Sequence, residues 1–487
     1  MLKIGYAEIP FGPLLQMKYL FYLSLCLSLL FSGCNSNPEE SNSIYIGGQI
    51  NNPETDFIVI SKENKTIDTL YLDENNQFGK EFEKLEGGIY IFRHPPESQI
   101  IYTEPGDSIV IWLNTMSFDE SLNFSGEGAN KSNFLLDMFL KNQGNNDLIL
   151  TYYKIEPAQF ARITDSIRKE RFQYLENLNE KHKFSEDFLE IARTSIDYEY
   201  YDLRERYTFL LKKYYREKAQ EIPKNFYDYR SEIDFNNEQL QDYYVYTNLI
   251  DDYLRSRALE YCSEKHGDHD DCYNLNSFKN LESRVILIDS LSNLQPLKNE
   301  FLDRFASQMI IMAETESRID SILNLLEKID YTDIDRMEAL ADLQRDYFVG
   351  TSLNSLQIRN TDNEITSWEA VINKPTISYA WSMDAPSRHR IQNTYVQKLR
   401  KKYPEVDFIG INVDLDETEE WLRTIETFGY DKEKQFQITQ RQASNEIYKK
   451  YLYKVILLSA DGKIIKGDLN IGSPDFEEKL LTYLNKN

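Results

Sequence analysis

The residues with the clearest chemical potential lie in one short stretch near the C-terminal end of the chain. Thr376 to Trp381 is apolar and β-branched, which predicts a buried strand. Pro386 then begins a helical pattern that extends to about Lys402, since proline suits the first position of a helix. Asp384 and Ser387 therefore lie at a helix N-terminus, where an anion is favoured by about 0.3–1 kcal/mol. We expect Asp384 to cap this helix.

The stretch resembles the active-site segment of thioredoxin-like proteins, in particular the periplasmic thiol-disulfide oxidoreductases that mature cytochromes. In that family the segment reads aromatic-x-Ala-x-Trp-Cys-x-Pro-Cys-Arg, and here Asp384 and Ser387 occupy the two cysteine positions. Disulfide exchange needs a thiolate nucleophile and a second thiol that resolves the mixed disulfide. The resemblance therefore implies a C-terminal thioredoxin-like α/β domain that lacks its redox pair.

A third departure from the family concerns the loop before a late strand. The family has a cis-proline there, and counting back from Gly462 places Tyr453 at that position. A cis bond before a residue other than proline costs about 3–4 kcal/mol, so we expect a trans bond at Tyr453. The three losses together favour a binding role, in which a groove holds an extended peptide or a partner loop. The predicted groove is formed by Trp381, Met383, Asp384, Ala385, Tyr453 and Lys454.

A second concentration of reactive side chains lies between Cys262 and Cys272. This loop holds two histidines and three aspartates, and the two cysteines at its ends are the only ones after Cys34. A disulfide that closes an acidic loop is favoured in an oxidising envelope. Two free thiols and a metal site remain as alternatives. The spacing matches no standard ligand motif, so the sequence predicts neither a metal nor a cofactor.

Other catalytic patterns are weak. The sequence has no Gly-rich phosphate loop and no Gly-x-Ser-x-Gly motif. His389 lies close to Asp384 and Ser387 in sequence, but residues two apart on a helix do not face each other. A Ser-His-Asp triad is therefore not expected.

The remaining sequence predicts a multi-domain α+β protein. Residues 44–129 alternate β-branched or aromatic runs with turn signals such as the one at Gly106, which predicts a small antiparallel β-sandwich. The stretch from Thr103 to Ile109, followed by the stretch from Phe124 to Asn130, resembles the small β domain that precedes thioredoxin-like modules in lipoproteins of Bacteroidetes-type bacteria. Residues 130–348 repeat apolar residues at helical spacing and predict a central α-helical domain. Residues 349–487 form the expected thioredoxin-like domain.

The N-terminal sequence predicts an export segment. Residues 1–34 include a short positive region and an apolar run too short to span a membrane, and residues 1–16 look like an over-extended start. The small residues before Cys34 resemble a bacterial lipobox, which implies cleavage before Cys34 and lipid on that residue. Residues 35–43 form a polar tether. We therefore expect a cell-envelope protein, anchored by lipid to the membrane and most consistent with the outer membrane.

The charge composition narrows the classes of ligand that we expect. The net charge of −25 and the pI of about 4.8 argue against nucleic-acid binding, which needs a basic stripe. The sequence favours a lipid-anchored protein whose redox-inactive thioredoxin-like domain is a binding or scaffold module for an envelope protein or peptide. The alternative is an envelope thiol-disulfide oxidoreductase that uses Cys262 and Cys272. A third interpretation is a structural or cell-surface component beside a glycan-uptake system.

Overall fold

The computed structural model describes residues 42–485 except 64, 268, 330, 354–356, 416, 440–451, 453 and 474–475. The predictions for Cys34 and Tyr453 lie outside the described residues. The chain divides into two compact units, of which the first ends at Leu140 and the second begins at Lys141. The helical and α/β parts both belong to the second unit, so the boundary predicted at residue 348 stays a prediction. No helix among the described residues has the length and apolarity to cross a membrane.

The first unit is built on two four-stranded sheets. The strands are β1 (Ile44–Asn51), β2 (Phe57–Lys62), β3 (Lys65–Tyr71), β4 (Gln77–Phe82), β5 (Gly88–His94), β6 (Glu97–Thr103), β7 (Ser108–Asn114) and β8 (Asn123–Ser125), with a short helix α1 (Phe118–Ser121) before β8. One sheet has the order β4-β1-β7-β8 and the other β3-β2-β5-β6. The expectation of a purely antiparallel arrangement is wrong at one pair, because β1 and β7 run parallel. Parallel neighbours need a long connection, and β2 to β6 supply it.

Both sheets contribute to one hydrophobic core. Ile46, Ile60, Phe92 and Ile111 are fully buried in it. Helix α2 (Ala129–Gly144) adds apolar side chains from its first turns. The turn predicted at Gly106 is present, and its φ of 94° is a conformation that glycine adopts without strain.

The helical part of the second unit carries most of the tyrosines. Its helices are α3 (Asn146–Leu150), α4 (Pro157–His182), α5 (Glu186–Tyr214), α6 (Arg216–Ala219), α7 (Tyr244–His266), α8 (Asp270–Tyr273), α9 (Phe278–Leu291), α10 (Gln295–Ile311), α11 (Glu316–Lys328) and α12 (Ile334–Arg345). Short 3₁₀ turns occur in this part at Tyr152–Lys154, Lys224–Glu232 and Glu238–Leu240. Two more occur elsewhere, at Thr115–Ser117 in the first unit and at Lys432–Lys434 in the α/β part. The Tyr207 ring stacks on Phe160 at 3.9 Å between centroids while its hydroxyl donates to the Ile155 carbonyl at 2.7 Å. Tyrosine thus packs a core and satisfies a buried polar group at once.

The α/β part contains a seven-stranded mixed sheet of order β10-β9-β13-β12-β11-β14-β15. Its strands are β9 (Gln357–Arg359), β10 (Ile365–Ser367), β11 (Thr376–Trp381), β12 (Asp407–Asn412), β13 (Gln435–Ile438), β14 (Val455–Leu458) and β15 (Ile464–Leu469), and its helices are α13 (Trp368–Val371), α14 (Pro386–Lys402), α15 (Thr418–Phe428) and α16 (Phe476–Leu484). β11 pairs in parallel with β12 and antiparallel with β14. The predictions of a strand at 376–381 followed by a helix from Pro386 to about Lys402 are confirmed.

Candidate functional site

The candidate site is the loop that joins β11 to α14. The helix has Pro386 at its first position, and its N-cap position is Ala385, whose side chain makes no capping hydrogen bond. The N-cap position is therefore one residue after Asp384, and the capping role of Asp384 stays a prediction. Asp384 and Ser387 are both exposed at the start of the helix. The two positions where the resemblance places cysteines are therefore open to solvent.

Asp414 fixes the beginning of this loop, a role that no motif in the sequence indicates. Its carboxylate accepts hydrogen bonds from the Ser382 hydroxyl at 2.7 Å and from the Met383 backbone N–H at 2.7 Å. The Asn412 side chain donates to the same carboxylate at 2.8 Å. Because β11 and β12 are parallel neighbours, the residues after their carboxyl ends meet at one sheet edge. That topology was the signal that identifies Asp414.

A buried polar chain lies beneath the loop. The Trp381 indole N–H donates to Gln435 Oε1 at 3.0 Å, and the Gln435 amide donates to the Tyr379 hydroxyl at 3.0 Å. The Gln437 amide donates to Asn412 Oδ1 at 3.2 Å. Since buried polar groups are costly when unpaired, each of these bonds holds its strand end in one arrangement. The loop therefore rests on a rigid base.

His389 points into this base. It is 2% exposed, and its Nδ1 lies 2.6 Å from the Tyr430 hydroxyl. Burial lowers the pKa of His389, and the neighbouring charge of Arg390 lowers it further. A neutral imidazole that is hydrogen-bonded to tyrosine is a packing element, while Ser387 is exposed to solvent. A catalytic serine-histidine pair is not the arrangement observed.

The structure changes the predicted binding groove. Trp381 is only 1% exposed, so it supports the loop from below and does not line a groove. Lys454 is 5% exposed, and its ammonium donates to the Ile311 carbonyl at 2.7 Å and to Gln344 Oε1 at 2.9 Å. Lys454 thus faces the helical part of the unit. Met383, Asp384 and Ala385 remain as the accessible residues of the groove, and Tyr453 lies outside the described residues.

Cys262 and Cys272 are joined by a disulfide, with their Cα atoms 5.5 Å apart. The bridge connects the last turns of α7 to α8, and both residues are fully buried. Neither belongs to the β11–α14 segment. Among the described residues, no group of three or more His, Cys, Asp or Glu side chains is arranged to hold a metal ion.

Part of the chain is similar to proteins of known structure. The sequence matches no protein-family model and no curated protein. The thioredoxin domain of a thiol-disulfide oxidoreductase from Bacteroides vulgatus is 18% identical, with a TM-score of 0.23, over 28% of this chain and 98% of that one. A thiol:disulfide interchange protein from a Bacteroides species is 18% identical, with a TM-score of 0.22, over 28% of this chain and 90% of that one.

Proposed function

We propose that this protein is a lipid-anchored component of the cell envelope whose thioredoxin-like domain is a redox-inactive binding module. One observation carries the proposal: Asp384 and Ser387 are exposed at the start of α14, where a thioredoxin-type reaction would require two thiols. The expected partner is an envelope protein or peptide, and the expected membrane attachment is lipid on Cys34. No nucleic acid is expected, because the chain carries a net charge of −25.

The chemistry of the two side chains supports this role. A thiolate attacks a disulfide sulfur and leaves again as a thiolate, and both steps depend on sulfur. A carboxylate at position 384 and a hydroxyl at position 387 provide neither the nucleophile nor the resolving thiol. What remains is an exposed, charged loop on a rigid base, which suits recognition.

The experiment is insulin reduction by the purified mature protein in the presence of dithiothreitol. The proposal expects a rate equal to that of dithiothreitol alone. A rate clearly above that blank would overturn the proposal. Pull-down from envelope membranes with the same protein then identifies the partner.

The alternative function is a thiol-disulfide oxidoreductase that uses Cys262 and Cys272. The bond between them favours it, because a disulfide is the oxidised form of such a centre. Their complete burial opposes it, since exchange requires access to a sulfur atom. Insulin reduction by the wild type above the rate of dithiothreitol alone, and its loss in the Cys262→Ser variant, would establish this alternative.

A further inference from the structure

The second unit contains a cleft between its helical part and its α/β part. Its volume is about 1190 Å³, which exceeds the roughly 300–1,000 Å³ of a typical small-molecule pocket. One wall comes from α5 to α7, α9 to α11 and the disulfide-closed segment between Cys262 and Cys272. The opposite wall comes from β15, α16 and Lys454. A cleft of this size accommodates several residues of an extended chain.

The charge of the cleft is opposite to that of the molecule. Eight lysines and arginines line it, against two aspartates, in a chain whose net charge is −25. A positive concavity in an acidic molecule concentrates field lines and attracts anions selectively. The charge distribution therefore points to an anionic ligand.

Three of these cations are supported by aromatic rings. The Arg216 guanidinium lies 3.8 Å from the Tyr273 ring centroid, Arg318 lies 4.1 Å from Phe278, and Lys213 lies 5.1 Å from Tyr214. A guanidinium stacked on a ring keeps its N–H edges directed outward, where they bind a carboxylate in a bidentate manner. The rings thus hold the cations in place for a ligand that carries carboxylates.

Two of the eight cations, Arg255 and Arg304, are already paired with Asp251, whose side chain is 14% exposed, and the remaining carboxylates leave the cleft positive. Arg216 pairs with Asp270 at 3.3 Å, but the Asp270 side chain is 97% exposed. Lys279 lies 3.6 Å from Asp271, whose side chain is 50% exposed. Exposed ion pairs of this kind contribute about 0–1 kcal/mol, so carboxylates of a ligand compete with them easily.

The lining also contains apolar surface. Met312 is half-buried among the cations, whereas Leu281, Met309 and Leu469 are buried beneath them. Methionine adapts its shape to different apolar side chains, which suits peptides better than inorganic anions or the hydroxyl-rich surface of a sugar. The Lys454 hydrogen bonds to Ile311 and Gln344 connect the two walls and fix the width of the cleft at one end.

We propose that this cleft binds an extended peptide segment that carries both acidic and apolar side chains. The inference deepens the proposed binding role and rests on it, but it uses a surface distinct from the loop at Asp384. Arg318 and Lys213 provide the charge, the rings of Phe278 and Tyr214 position that charge, and Met312 accepts an apolar side chain.

The test is fluorescence anisotropy with a labelled dodecapeptide composed of glutamate and leucine. Comparison peptides replace every glutamate by lysine or every leucine by serine, and polygalacturonate is the competing polysaccharide. The variant is Lys213→Glu with Arg318→Glu. The matched control is Lys169→Glu with Arg162→Glu, two exposed residues outside the cleft that receive the same charge change. Thermal unfolding shows that both variants are folded.

The proposal expects saturable binding of the glutamate–leucine peptide only. Affinity should fall about tenfold or more in the cleft variant, remain unchanged in the control variant, and weaken at high salt. Absence of binding, equal loss in both variants, or stronger binding of polygalacturonate overturns the inference. Insulin turnover is scored on the same samples, so a failure here is distinguishable from a failure of the redox-inactive function.

Discussion

At the scale of single residues, the loop between β11 and α14 depends on Asp414 more than on the residues that its sequence motif contains. Asp414 accepts from Ser382, Met383 and Asn412, so three parts of the strand ends share one carboxylate. Hydrogen bonds to a charged group contribute about 1.5–3 kcal/mol when their loss leaves a buried partner unpaired. The shape of the partly exposed segment from Met383 to Ala385 is therefore set by a residue that follows the neighbouring strand.

Replacing Asp414 by alanine should destabilise the second unit by roughly 1–3 kcal/mol, because the Ser382 hydroxyl and the Met383 N–H lose their acceptor. Urea unfolding measures the change, and hydrogen exchange at Met383 locates it. Glu420→Ala, an exposed change on α15, is the control and should have little effect. Equal stability of the Asp414 variant and the wild type would refute the anchoring role.

Some residues of the candidate site could be placed from the sequence, and others could not. The strand at 376–381 and the helix after it follow from local periodicity, so both were predictable. Period-two alternation already places Trp381 on the same face as Ile377 and Tyr379, which are core residues. The burial of Trp381 could therefore be predicted from the sequence. The role of Asp414 and the orientation of Lys454 could not, because they depend on contacts between distant segments.

At the scale of elements, α5 and α7 bury a cluster of carboxylates. Burial raises the pKa of Asp202 well above its usual range, and the neighbouring Asp252 raises it further. Burial also raises the pKa of Glu199, to about 7. Raised carboxyl pKa values contribute stability that is fully present below the unfolded values near 4 and is lost as the pH rises through the folded values.

Replacing Asp202 by asparagine should therefore stabilise the protein at pH 8 and change it less at pH 5. The amide keeps the shape of the side chain and removes a buried charge, which is worth on the order of 1–3 kcal/mol. Thermal unfolding at the two pH values measures the difference, with the exposed Asp320→Asn as control. Destabilisation of the Asp202→Asn variant at pH 8 would show that the ionised Asp202 carboxylate is stabilised by its neighbours, contrary to this prediction.

The bridge between α7 and α8 is a second element-scale feature. Replacing both Cys262 and Cys272 by serine should cost roughly 2–4 kcal/mol, because the bond restrains the unfolded chain. Urea unfolding under non-reducing conditions measures the loss, and the wild type with reductant should approach the variant. An unchanged midpoint would argue that the segment is held by its packing alone.

At the scale of the whole molecule, the chain combines an acidic surface with local features of opposite character. The general class of each segment was predictable, because strand and helix periodicities differ. The parallel pairing of β1 with β7 was not, since nothing local distinguishes a hairpin neighbour from a strand that returns after five others. The basic cleft was hidden for the same reason, as its cations come from helices and strands far apart in sequence.

The proposed function follows from what stands at the start of α14. Asp384 and Ser387 are exposed and belong to a loop whose base is fixed by Asp414 and Gln435. Of the three departures from the family pattern, the two missing sulfur atoms remove the reacting groups, so two substitutions should bring thiol chemistry to this site. The variant Asp384→Cys with Ser387→Cys tests this, and Asp384→Ser is its matched control.

The most direct measurement is the rate of insulin reduction by the wild type, the double-cysteine variant and the Asp384→Ser control, side by side. We expect turnover in the double-cysteine variant only, with the wild type and the control at the rate of dithiothreitol alone. Insulin reduction by the wild-type protein would contradict it.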